Sequence, residues 1–61
     1  MEEKTLGERC KAYRRFHVLS QQALADRCGV HVNTIINIEQ GRSAHWMTEE
    51  RIKRVIGGWE E

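Results

Sequence analysis

Residues 19–42 read LSQQALADRCGVHVNTIINIEQGR, and the punctuation within this stretch decides the fold. Ser20 stands just ahead of Gln21, Gln22, Ala23 and Leu24, where a side-chain oxygen caps the free amides of a helix start. Leu24, Ala25 and Cys28 then share one helical stripe, and Gly29 follows where a left-handed residue ends a helix. After Gly29, Val30 and His31 a second helix runs from Val32 to Glu39, with Ile35 and Ile38 facing inward, and Gly41 stops it. The residue types suit a close crossing: Ala25 is small where the two helices meet, Gly29 permits a positive φ, and Val30 and Ile35 fill the wedge between them.

Working outward, the segment from about Thr5 to His17 places Leu6, Cys10, Tyr13 and Phe16 or His17 on one face, with Glu8, Arg9, Lys11 and Arg15 on the other. Beyond Gly41, the polar stretch Arg42 to His45 reads as a loop. Thr48 is expected to cap a further helix, with Glu49 and Glu50 at the positive end of its dipole and Ile52, Val55, Ile56 and Trp59 as its apolar face. Gly57 and Gly58 weaken that helix near its end. No stretch has the period-two alternation of a half-buried strand, so the expectation is all-α: a compact bundle of four or five short helices. Its core is expected to hold Leu6, Tyr13, Leu24, Ala25, Cys28, Val30, Ile35, Ile38, Ile52, Val55 and Trp59.

The chain has 61 residues, enough for one small core and too few for a catalytic cleft between domains, which argues against an enzyme and for a single domain over 1–61. Ten Lys and Arg against nine Asp and Glu give a net charge of +1, so bulk charge favours neither an acidic tail nor a strongly basic nucleic-acid binder. The longest apolar runs are far below the roughly 20 residues that span a bilayer, so no membrane association is expected. Cys10 and Cys28 fall on helical faces with no signal peptide ahead of them, which points to reduced thiols in the cytoplasm rather than a disulfide framework, a single bridge between them being the alternative. Cys28-x-x-His31 has a ligand-like spacing, but structural zinc needs four convergent ligands and no second tight pair exists; neither metal nor cofactor is expected.

Two short helices joined by a tight glycine turn form a helix-turn-helix, whose second helix is built to lie in the major groove of DNA. The segment Leu19–Arg42 strongly resembles the phage repressor and Cro family of such domains, with a lambda-repressor-like fold and the helix-turn-helix at about 20–40. The resemblance is carried by Ser20 with Gln21, Leu24 with Ala25, Gly29 with Val30, Ile35, and Ile38-Glu39-Gln40-Gly41-Arg42. Weaker similarity extends from Leu6 to Trp59 through Leu6-Gly7-Glu8-Arg9, Tyr13-Arg14, Thr48, Ile52 and Val55. It implies a sequence-specific transcriptional regulator, such as a repressor, that binds double-stranded DNA without a cofactor in a bacterial, plasmid or phage context. By the same resemblance His31, Val32, Asn33 and Asn37 on a recognition helix at about 32–39 read bases, while Gln21, Gln40, Arg42 and Ser43 hold the backbone. Arg14 and Glu39 form an internal salt bridge in that family.

The sequence also departs from the family pattern. Val18 stands where the family often has glycine, and a β-branched residue resists positive φ, so the first turn is expected to be built differently. The loop from Gly41 to Thr48 reads two residues longer than usual and lacks a proline. The family usually continues into a fifth helix that supplies dimer contacts; with the chain ending soon after Trp59, a weak homodimer or a monomer that dimerises on DNA is expected, or a fragment of a longer regulator. Ile36, Trp46 and Trp59 carry a competing reading, an antitoxin-like or anti-repressor module that binds a protein partner. The simpler expectation is that Trp59 fills the core while Trp46 shields its edge.

Overall fold

Thr5 opens the first helix with a reciprocal cap: its hydroxyl accepts the Glu8 amide at 3.2 Å, and the Glu8 carboxylate accepts the Thr5 amide at 2.9 Å. In the computed structural model, which describes residues 5–57, four helices follow one another: α1 Leu6–His17, α2 Gln21–Cys28, α3 Val32–Glu39 and α4 Trp46–Ile56. No strand occurs among the described residues, and the fold is all-α. Ser20 caps α2 by accepting the Ala23 amide at 3.0 Å. The last two helices are capped by imidazoles. His31 Nδ1 accepts from the Asn33 amide at 3.0 Å, and His45 Nδ1 from the Met47 amide at 3.2 Å.

The His45 cap corrects the expected start of α4. Thr48 is not its cap but lies inside the first turn, and Trp46 and Met47 are helical rather than part of a long loop. The physical reason is that Glu49 reaches back to accept the Ala44 amide at 3.1 Å while the Glu49 amide donates to the His45 carbonyl, starting the helix three residues early.

The first three helices end in the same paired hydrogen bonds. After α1 the amides of Val18 and Leu19 reach back to the carbonyls of Arg15 and Arg14; after α2 those of Gly29 and Val30 reach Asp26 and Ala25; after α3 those of Gly41 and Arg42 reach Ile38 and Asn37. This arrangement requires a left-handed residue at its first position. Gly29 and Gly41 supply it at φ 70° and 91°, and Val18 is forced into it at φ 55°. The expectation that Val18 would build a different turn is therefore wrong. Leu19 packs against the core and accepts a hydrogen bond from Arg14 Nη1 at 3.2 Å, and these anchors hold the valine where glycine would rest without strain.

Leu24, Ile35, Ile52 and Cys10 are the largest wholly buried side chains, joined by Tyr13, Ala25, Cys28, Ile38 and Ile56 in one core. Leu6, Val30 and Val55, expected inside, pack at its rim, whereas Cys10 and Ile56 take interior places. Phe16 and His17 both face solvent, because the inward stripe of α1 runs through Cys10 and Tyr13 and the last turn projects beyond the core. Trp59 lies outside the described residues. Gly7 is buried where α1 meets the end of α3: a Cβ there would collide with the Ile38 carbonyl oxygen, so only glycine permits this approach.

Two predictions follow from these placements. Val18 is 89% exposed, so Val18→Gly sacrifices little packing and relieves a left-handed β-branched residue. Relief of about 1–2 kcal/mol is partly offset by glycine's freedom when unfolded, and urea melts should show a net gain of up to about 1 kcal/mol. The second concerns alkaline pH. Burial, seconded by the negative charges of Glu39 and Cys28, pushes the Cys10 thiol from 9.0 up to about 12. The unfolded chain therefore releases this proton first, so the contribution is intact below about pH 9 and is lost as pH rises toward 12, by about 1.4 kcal/mol per pH unit. Urea melts from pH 8 upward should show this slope in the parent and a shallower one in Cys10→Ala.

Candidate nucleic-acid interface

Glu39 is the one buried charged residue of the described chain, at 8% exposure, and three side-chain nitrogens converge on it. Arg14 Nε donates to Oε2 at 2.7 Å and Nη2 to Oε1 at 2.8 Å, a two-pronged pair, while Gln21 Nε2 donates to Oε1 at 3.1 Å. The cluster ties the end of α1, the Leu19 carbonyl, the start of α2 and the end of α3 into one unit. The paired carboxylate raises the Arg14 pKa further above its ordinary value, chiefly through the side-chain hydrogen bond. A carboxylate near the end of α3 would repel a polyanion; here its charge is neutralised internally.

Ile35, Ile38 and Glu39 fix the inner side of α3, which leaves Asn33, Ile36, Asn37 and Gln40 toward the opposite side. Asn33 and Gln40 are exposed; Val32, Ile36 and Asn37 are half-buried. Eight residues make a helix about 12 Å long, and Asn33 and Asn37 lie one turn apart along it. Ile36 does not join the exposed apolar side chains Phe16, Val18, Trp46 and Met47. Nor does Trp46 shield the core edge, being 68% exposed on the first turn of α4.

His31 has a role that the sequence reading missed. Its Nδ1 accepts the Asn33 amide, so the neutral ring carries its proton on Nε2, and the remaining edge is a hydrogen-bond donor. Gln21 likewise has a second role, since one of its amide hydrogens is committed to Glu39. At the other end of α3, the Arg42 amide donates to the Asn37 carbonyl at 2.9 Å and Arg42 Nη1 lies 3.5 Å from Asn37 Oδ1. The guanidinium thus hangs beside the asparagine amide. Ser43 follows, exposed, in the short loop before α4. The two imidazole caps carried no sequence signal, because histidine is a rarer capping residue than Ser, Thr, Asp or Asn.

Residues 11–44, more than half of the chain, match the helix-turn-helix family of Cro/C1 type. The chain belongs to that family. No curated protein and no solved structure matches it. The family is one of DNA-binding regulators, typically non-enzymatic. In this helix-turn-helix protein α2 and α3 are the two helices of the motif, and the matched span also takes in the Arg14–Glu39 pair and most of α1. Among the described residues no group of three or more His, Cys, Asp or Glu is placed to hold a metal ion, and no helix is long and apolar enough to cross a membrane.

Removing one member of a buried ion pair leaves the other charge stranded. Arg14→Ala should therefore cost about 3 kcal/mol or more, a large share of the stability of so small a protein. Replacing both Arg14 and Glu39 by leucine should cost much less, since no uncompensated charge remains. Thermal melts of the three variants check this ordering.

Proposed function

We propose that this chain is a sequence-specific double-stranded DNA-binding transcriptional regulator, acting as one domain that inserts α3 into the major groove. The observation that carries the reading is the pair Asn33 and Asn37, one turn apart on the side of α3 opposite its buried residues. A groove about 12 Å wide admits an α-helix, and an asparagine amide can pair with adenine N6 and N7 at once. Val32 suits contact with a thymine methyl. The His31 Nε2–H suits guanine O6 or N7, or a phosphate.

The flanks supply the backbone contacts. Gln21 stands at the positive end of the α2 dipole, where a phosphate is favoured, with one amide hydrogen still available to donate. Gln40, Arg42 and Ser43 leave α3 at its other end, so the reading helix is bracketed by phosphate-binding groups that set its register. The protein works in the cytoplasm of a bacterial host, on chromosomal, plasmid or phage DNA, by occupying an operator and with no cofactor. Repression is the simplest output of such occupancy.

The test is selection of bound sites from random duplex DNA, followed by salt-dependent titration of variants on the selected site. Asn33→Ala or Asn37→Ala should cost about 1–3 kcal/mol on that site and relax preference at one base pair, with little change on random DNA. Arg42→Ala should weaken specific and random binding alike and lower the salt slope by about one unit. Recovery of no preferred sequence at near-physiological salt would overturn the reading.

A further inference from the structure

An open cavity of about 380 Å³ lies between the turn that precedes α3 and the first turns of α3 and α4. Its polar lining is His31, Thr34, His45, Thr48 and Arg51, and no Asp or Glu is among its described lining residues. His31 and His45 each commit Nδ1 to a helix cap, so what either neutral ring has left to offer is an Nε2–H donor. Arg51 lies across the turn with Nη1 3.5 Å from the Gly29 carbonyl oxygen, which leaves most of the guanidinium N–H groups uncommitted. Thr34 and Thr48 add hydroxyls. Val30 and Met47 supply apolar lining.

This lining selects an anion. Two imidazole donors, a guanidinium and two hydroxyls border one space, and the positive ends of the α3 and α4 dipoles open onto it as well. A carboxylate has only two oxygens to set among these groups. A phosphate monoester has three, and it carries nearly two negative charges at neutral pH. The phosphodiester of DNA presents two free oxygens and a single charge, so it answers the lining less fully. Beside the donors, the Met47 thioether and the Val30 side chain favour a monoester with an apolar substituent over bare phosphate. The volume falls at the low end of the roughly 300–1,000 Å³ of small-molecule pockets, which suits a small metabolite.

We propose that the cavity bordered by His31, His45 and Arg51 binds a small phosphate monoester with an apolar substituent, and that its occupant competes with DNA. The binding groups come from the turn before α3 and from α4, so the ligand ties α4 to the start of α3. It also takes up the His31 Nε2–H and places negative charge at the end of α3 where that donor would meet a base or a phosphate. By linkage, DNA weakens the ligand by the same factor as the ligand weakens DNA. The competition rests on the DNA-binding reading, whereas the site itself is tested without DNA, so the two fail separately.

The experiment is a titration of the full chain, labelled with nitrogen-15 and free of DNA, with phenyl phosphate at constant ionic strength and about pH 7.5, where an ordinary imidazole is neutral. Amide signals from Val30 to Thr34 and from Met47 to Arg51 should shift together and saturate, with a Kd of about 1 mM. Arg51→Met should weaken binding about tenfold, and Arg54→Met, which removes an exposed cation of α4 outside the cavity, should leave it unchanged. His31→Asn and His45→Asn keep a side-chain oxygen for the cap but lose the Nε2–H, so each should bind several-fold more weakly while circular dichroism shows the helices intact. Inorganic phosphate should bind about threefold more weakly than phenyl phosphate, and dimethyl phosphate, the diester probe, about tenfold more weakly. No saturable shift by about 20 mM overturns the proposal, as does equal weakening by Arg51→Met and Arg54→Met. Dimethyl phosphate binding as tightly as phenyl phosphate also overturns it and gives the cavity to the DNA backbone. On a selected DNA site, saturating phenyl phosphate should weaken binding by the parent and not by Arg51→Met; unaltered affinity in the parent overturns the competition.

Discussion

The bidentate pair between Arg14 and Glu39 is the constraint on which the rest of this structure depends. A carboxylate at 8% exposure can remain charged there only because a guanidinium from α1 and the Gln21 amide from α2 meet it. The pair therefore does more than add attraction, which desolvation largely offsets. It makes the relative placement of three helices a condition for burying the charge at all. Because Arg14 also holds the Leu19 carbonyl, the turn between α1 and α2 is locked by the same group. The end of α3 and the start of α2 are thereby fixed to each other.

A small core can hold four short helices together only if their backbone ends are closed economically. Four helices averaging under three turns would each leave amides and carbonyls unpaired, and here side-chain caps open all four and paired reverse hydrogen bonds close three. These local closures leave the nine buried apolar side chains of the described residues free to pack in one interior. They also account for the chemistry presented at α3. His31 is turned by its capping bond so that a donor edge remains, and Arg42 is carried beside Asn37 by the turn that ends the helix. The residues that cap and close α3 are thus also the ones exposed at its two ends.

The α4 helix has a different character. Its inner side seals the core with Ile52 and Ile56, while its outer side leaves an indole and a thioether in water above a balanced charge pattern. No other described residue covers them.

The sequence by itself determined the helical class, the four segments, the motif and the family, because these depend on local signals. Ser20 caps, Gly29 and Gly41 permit positive φ, and the inward spacing of Leu24, Cys28, Ile35 and Ile38 needs no knowledge of neighbours. The polar candidates on α3 were legible for the same reason, since residues fixed inward define which remain outward. Only the tertiary structure decided what depends on more than one element. Val18 looked incompatible with a left-handed turn, yet Leu19 and Arg14 over-determine it from both sides. Thr48 looked like the cap of α4, but His45 and Glu49 close that helix earlier and put Trp46 on its surface instead of at the core edge. Gly7 could not be distinguished from any other glycine until α3 passed against it. Gln21 read as a backbone contact alone until Glu39 came within 3.1 Å of its amide. Local propensity fixes where helices begin and end, and only packing fixes which side chains share a hydrogen bond, a collision or the open solvent.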